Sequence, residues 1–97
     1  MSEQLREKVR KLSENEICEI RSNLAAKITA VEQKIDKFSV QKRPVNELRS
    51  EQDKYATAYN IAFRLIRNET DGQIRKKEGL SGDGLLRYYQ IILEMNY

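Results

Sequence analysis

The stretch ENEICEIRSNLAAKITAVEQKIDKF, residues 14–38, decides the fold. Ile17, Ile20, Leu24, Ile28, Val31, Ile35 and Phe38 recur at spacings of three and four, which keeps side chains on one face of an α-helix. That stripe runs for about six turns, roughly 33 Å at 1.5 Å per residue. Just before it, Ser13-Glu14-Asn15-Glu16 has the form of a capping box. The serine hydroxyl takes the amide hydrogen of residue 16, and Glu16 reaches back to the cap. Leu12 stands where a hydrophobic staple to Ile17 would start.

Upstream, Leu5, Val9 and Leu12 mark a first helix over about residues 3–12, with Ser2 as its cap. At about 100° per residue its stripe points roughly 90° away from the stripe that follows. One straight helix cannot aim both at the same neighbour, so a break at Ser13 is predicted. Downstream, Pro44 bars Arg43 from the helical region and forces a turn in residues 39–45. Asn46 is the expected cap of a third helix over 46–68. Its apolar face is Leu48, Tyr55, Ala58, Tyr59, Ala62, Leu65 and Ile66, widened by Ile61 and Phe63. A short connection between two long helices implies an antiparallel hairpin, and Ala58 and Ala62 let the axes approach closely. An intermolecular coiled coil through positions 24, 28, 31, 35 and 38 is the alternative. It would last only about three heptads before its proline-bounded partner helix begins.

Glu69-Thr70-Asp71-Gly72 reads as a turn, residues 73–78 as a short helix ended by Gly79, and Ser81-Gly82-Asp83-Gly84 as a further break. In Leu85–Tyr97, nine of thirteen residues are apolar or aromatic, and Arg87, Gln90 and Glu94 form one narrow polar stripe. A helix over about 84–95, capped by Asp83, is expected, with a strand as the competing reading. Such a helix must be covered nearly all round. Either it is the central helix of the chain, or another chain covers its second face through Leu86, Tyr89, Leu93 and Tyr97. Tyrosine-rich surfaces of that kind are typical of binding hot spots. The expected fold is therefore all-α: a single helical domain, 1–97, built on a long antiparallel helical hairpin, with an N-terminal helix and a C-terminal apolar helix packed on it.

Composition excludes several classes of function. The 97 residues are 39% apolar and 34% charged, enough for a helix bundle and too apolar for a disordered chain. Nothing approaches the roughly 18 consecutive apolar residues of a membrane span. The N-terminal stretch is charged and lacks the apolar run of a signal peptide, so a cytoplasmic location is expected. Histidine is absent and Cys18 is the one cysteine. That removes imidazole acid–base chemistry, an internal disulfide and a thiolate-rich zinc site, so neither cofactor nor metal is expected. Cys18 falls off the apolar stripe and reads as an inert surface thiol. Glu14, Glu16 and Glu19 show no metal-ligand spacing, and no catalysis is expected.

The net charge of +3 arises in residues 1–43, which hold ten Lys/Arg against seven Asp/Glu, while the remainder is balanced. Lys34, Lys37, Lys42 and Arg43 gather at the expected hairpin tip. They suit a solvated helix end that complements the helix dipole, or a contact to phosphates or to an acidic surface. A second basic group, Arg75, Lys76 and Lys77, precedes Gly79-Leu80-Ser81, the kind of tripeptide found in the turn of a helix-turn-helix. With Leu86-Arg87-Tyr88-Tyr89 behind it, the segment locally resembles the DNA-reading helix of the mercury-resistance regulator family, which ends in Leu-Arg-Tyr-Tyr. The likeness spans about eleven residues. It departs in an extra residue between serine and leucine, in Gly82 and Gly84, and in having only eight residues after it where that family has a wing. It implies nucleic-acid contacts at Arg75, Lys76, Lys77, Ser81 and Arg87, without assigning the family.

The expected function is a small cytoplasmic protein-binding regulator or inhibitor. It would act as a homodimer by occluding a partner protein's surface, in the manner of a phage or mobile-element accessory protein. The alternative is a DNA- or RNA-binding regulator that uses residues 73–90 and the basic hairpin tip.

Overall fold

A computed structural model describes residues 2–96 and shows five helices: α1 (Ser2–Arg10), α2 (Glu14–Val40), α3 (Asn46–Ile66), α4 (Asp71–Glu78) and α5 (Gly82–Glu94). Among the described residues there is no strand. The segment whose helical or extended state was open, 85–95, is therefore helix up to Glu94. The long antiparallel pair α2–α3 forms the frame, and α5 packs on α3 and α1. The N-terminal helix thus reaches the hairpin mainly through α5.

The break before α2 lies where the two stripes require it. Ser13 takes the amide of Glu16 at 3.1 Å, and the Glu16 carboxylate accepts the Ser13 amide at 3.2 Å. That reciprocal box holds Glu16 below its ordinary pKa, through the Ser13 backbone first and then the Asn96 and Ser13 side chains. Leu12 packs against the core that contains Ile17.

Three expected caps sit elsewhere. Ser2 already belongs to α1. Asn46 is the first residue of α3, and the cap is Val45, which makes no side-chain bond. Ser81 rather than Asp83 caps α5, accepting from the Gly84 amide at 3.1 Å. A helix needs an acceptor for the amides of its first turn, and Ser81 is placed to supply one where Asp83 has already entered the turn. The residues read as a turn before α4 instead start it: Thr70 and Gln73 form a second capping box. Gly82 and Gly84 lie inside α5, so the chain breaks over Gly79–Ser81.

Helices α2, α3 and α4 end in the same way. Lys42 (φ 58°), Asn68 (φ 59°) and Gly79 (φ 66°) take the left-handed conformation. The next residue's amide then closes back on the last turn, as Arg43 to Phe38 (2.8 Å), Glu69 to Arg64 (3.2 Å) and Leu80 to Arg75 (2.9 Å). This Schellman geometry satisfies carbonyls that the helix itself leaves open.

The core lies at one end of the hairpin. Ile17, Ile20 and Leu24 meet Ala58, Ile61, Ala62 and Leu65, and Val9, Ile74, Leu85, Tyr89, Ile92 and Met95 close over them. Ala58 and Ala62 are fully buried, as a close helix pair requires. Beyond Leu24 and Tyr55 the two helices continue alone. About 25 Å of α2 lies past the core at 1.5 Å per residue, within a molecule 44 Å long. The molecule is a five-helix head with a two-helix arm.

Candidate functional site

The expected interface on α5 is largely taken up by the head. Tyr89 is fully buried, and Leu86 and Leu93 are partly buried against the core. Tyr97 lies outside the described residues. The helix is apolar on most sides because α1, α3 and α4 cover it, so Tyr89 is corrected from a surface anchor to a core residue. Its hydroxyl explains why a tyrosine sits there. It donates to Asp71 Oδ1 at 2.5 Å, and Arg10 binds the same oxygen at 2.5 Å, the Tyr89 hydroxyl at 3.3 Å and the Glu69 carbonyl at 2.8 Å. Arg6 stands 3.5 Å from the other carboxylate oxygen.

This network fixes the charge states of its members. Burial raises Asp71, but the Tyr89 hydroxyl, Arg10 and Arg6 outweigh that and hold its carboxyl below the ordinary value. Burial and the neighbouring Asp71 push Tyr89 well above the ordinary tyrosine value, against the opposing pull of Arg10. Burial would lower Arg10, yet Asp71 and Tyr89 leave it raised. A tyrosine kept protonated and a carboxylate kept ionised make a fixed clasp, not a proton-transfer pair.

A second cluster ties α3 to α4. Glu69 accepts from Lys77 at 2.9 Å and lies 3.5 Å from Arg64, which also binds Glu78 at 3.1 Å. The Lys77 hydrogen bond is the main reason that Glu69 lies below its ordinary pKa, against the opposing effect of burial.

The residues expected to contact nucleic acid are only partly assembled. Helix α4, the Gly79–Ser81 turn and α5 follow one another along the chain as helix, turn and helix, with Gly79 left-handed. However, Lys77 is paired with Glu69, and Ser81 is engaged in the cap. Arg75, Lys76 and Arg87 are exposed. The exposed side of α5 carries Asp83, Arg87, Gln90 and Glu94, one cation against two carboxylates. That is an unfavourable face to lay against phosphates.

The basic hairpin tip is exposed at Lys34, Lys37, Lys42 and Arg43. Arg43 turns back over the Phe38 ring, 3.9 Å from its centre, and Lys42 makes the turn. Cys18 is an exposed free thiol. Among the described residues no group of His, Cys, Asp or Glu could hold a metal ion, and no helix is long and apolar enough to cross a membrane.

Two further surfaces stand out, the first touched in the sequence only by the coiled-coil alternative. One is the seam of the arm, where Val31 is buried but Ile28, Ile35, Phe38, Leu48 and Tyr55 stay partly exposed. Its signal was present in the long stripe, which outruns anything left to cover it. The other lies on the head, where Phe63 is 43% exposed instead of widening the core face of α3. The Arg21 guanidinium lies over Tyr59 (4.4 Å) and Phe63 (5.1 Å), and Arg67 lies 5.8 Å from the Phe63 ring centre. Tyr59, Phe63 and Arg67 are spaced i, i+4, i+8, a pattern visible in the sequence only once α2 is known to place Arg21 beside it.

No family model, no curated protein and no solved structure matches this chain.

Proposed function

We propose that the chain is a small non-catalytic regulator that binds a protein and covers part of its surface, with the two-helix arm as the docking element. The observation that carries this reading is the arm itself. In the head α3 and α5 each pack on several helices, whereas α2 packs mainly on α3 and contributes no residue to the core cluster beyond Leu24. Two helices packed together leave their seam open along both sides, and an open apolar seam bordered by charges is a groove for a further helix. Its borders differ. Glu32 and Asp36 flank the seam on one side of α2, and Lys27, Lys34 and Lys37 flank it on the other. That gives a partner an orientation.

Homodimerisation through the same seam is the form this takes if the partner is a second copy. The order of α4, a turn with left-handed Gly79, and α5 is what the nucleic-acid alternative draws on, and the charges on α5 weigh against it.

The test is affinity capture from nuclease-treated lysate at high salt, comparing the natural chain with an Ile35→Asp/Leu48→Asp variant, alongside light scattering for mass in solution. The reading expects one protein, or a second copy, held by the natural chain at high salt and released by the arm variant. Nucleic acid recovered before nuclease treatment, with no protein afterwards, would sink it. The salt dependence separates the cases because each phosphate contact releases counterions.

A further inference from the structure

We infer that the head carries a second recognition site, formed by Arg21, Asn60, Phe63 and Arg67, which takes a short acidic segment of a protein partner. One of its carboxylates would lie against the two guanidinium edges, and an apolar side chain would lie on Phe63.

Two arginines of the head stand apart from its ion pairs. Several cations packed on the head have carboxylate partners: Arg10 has Asp71, Arg64 has Glu69 and Glu78, and Lys77 has Glu69. Among the described residues, Arg21 and Arg67 make no ion pair within 4.0 Å, Arg67 feeling Glu69 only at longer range, and Arg21 Nε is buried with no hydrogen-bond partner. What holds them is aromatic. Arg21 stacks over Tyr59 and Phe63, and Arg67 over Phe63.

Stacking uses the flat face of a guanidinium and leaves its in-plane N–H donors free. It also sets the direction of those donors in advance, so the rotamer entropy that an arginine loses on binding is already spent. A planar, bidentate oxyanion is the ligand that such a fork fits. Arg21, Tyr59, Asn60, Phe63, Arg64 and Arg67 line one shallow concavity on the surface. Asn60 is exposed at its rim, and Phe63 gives an apolar contact beside the cations.

The same surroundings choose between a carboxylate-bearing peptide and a nucleic-acid strand. Glu69 and Glu78 lie next to the concavity through their pairs with Arg64. A phosphodiester chain would run past them and be repelled. A peptide that presents an isolated acidic group beside an apolar one would not. The inference rests on the protein-binding reading for its source of ligand. It uses a different surface from the arm, so either can fail alone.

The experiment uses the full ¹⁵N-labelled chain, an acetylated and amidated Ser-Leu-Glu-Leu-Ser peptide, and an eight-nucleotide oligo-dT. The arginine Nε–H resonances of Arg21 and Arg67 and the backbone amides around Phe63 report on the site. The expected result is saturable shifts at these positions with the peptide. Arg21→Gln and Arg67→Gln should each weaken binding by about tenfold or more, the scale of one charge-assisted hydrogen bond. Arg67 is exposed, so its variant keeps the fold, checked by unchanged helical circular dichroism, even where the Arg21 variant does not. Absence of shifts at millimolar peptide, tighter binding of the oligo-dT, or unchanged peptide affinity in Arg67→Gln would overturn the proposal.

Discussion

Tyr89, on the last helix and fully buried, gives its hydroxyl proton to Asp71 in the first turn of α4 at 2.5 Å. Arg10 closes the triangle from α1. Three helices that already share the core through Val9, Ile74 and Leu85 are thereby tied at one polar point as well. Asp71 also sits at the N-terminus of α4, where a carboxylate is favoured by the helix dipole, so the clasp and the helix support the same ionised state.

Replacing Tyr89 by Phe keeps the ring and deletes the donor. A buried hydrogen bond to a charged acceptor contributes about 1.5–3 kcal/mol, and Tyr89→Phe is expected to lose that order of stability. For a domain of this size each kcal/mol lowers Tm by roughly 4–8 °C. Urea unfolding followed by circular dichroism measures it. A variant as stable as the natural chain would show that the hydroxyl contributes nothing.

The clasp also predicts the shape of the stability–pH curve at both ends. Asp71 has a folded pKa below its ordinary 3.8, so its contribution is complete above that value and is lost as pH falls through the folded one. Tyr89 has a folded pKa above its ordinary 10.0, so its contribution is complete below pH 10 and is lost as pH rises beyond it. Asp71→Asn should flatten the acid limb, and Tyr89→Phe the alkaline limb. Urea midpoints measured from about pH 2.5 to pH 11 separate the two. Unchanged limbs in the variants would remove both assignments.

The hairpin and its capping box were legible in the sequence because their signals are local. A stripe from Ile17 to Phe38 has one helical solution, Ser13 and Glu16 are three residues apart, and Pro44 permits no continuation. The role of Tyr89 was not legible. From α5 alone the side that faces another helix cannot be told from the side that faces a partner, and the answer depended on Asp71 and Arg10, 18 and 79 residues away. The Asp83 cap failed for a smaller reason. Ser81, Asp83 and two glycines all favour a helix start, and only the path of the chain out of Gly79 selects among them. The Arg21–Phe63 surface needs the register of α2 against α3, which periodicity does not supply.

That cap assignment is directly testable. Ser81→Ala removes the acceptor of the Gly84 amide and should cost about 1 kcal/mol. Asp83→Ala removes only a favourable charge in the first turn of α5 and should cost roughly 0.3–1 kcal/mol, less in high salt. If Asp83→Ala is the more costly of the two in 1 M salt, the cap belongs to Asp83 after all.

The hairpin turn offers a stabilising change. Lys42 holds φ at 58°, a conformation that costs a residue with a Cβ roughly 1–2 kcal/mol and costs glycine almost nothing. Lys42→Gly should therefore gain up to about 1 kcal/mol, after allowance for the greater freedom of glycine in the unfolded chain. The equivalent position after α4 is already Gly79. There Gly79→Ala should lose about 1 kcal/mol, although an added Cβ would meet no atom within 4 Å. Thermal melts of the two variants should move in opposite directions, and a shift of the same sign in both would contradict the argument.

The division into head and arm predicts two tiers of local stability. Ile61 is fully buried among several helices, so Ile61→Ala should cost about 2–5 kcal/mol. Ile35 touches one neighbouring helix and stays partly exposed, so Ile35→Ala should cost less than about 1.5 kcal/mol. Amides beyond Leu24 and before Tyr55 should then exchange by local opening at free energies below that of global unfolding, while those around Ile20 and Ile61 exchange only with the whole domain. This follows from contact alone: an arm held by one seam can open without disturbing the head, whereas no helix of the head can leave without exposing Tyr89 or Ile61. Hydrogen exchange across a series of urea concentrations reads both tiers. Arm amides as protected as those of the head would mean that the seam is covered in solution, as a second copy of the chain would do.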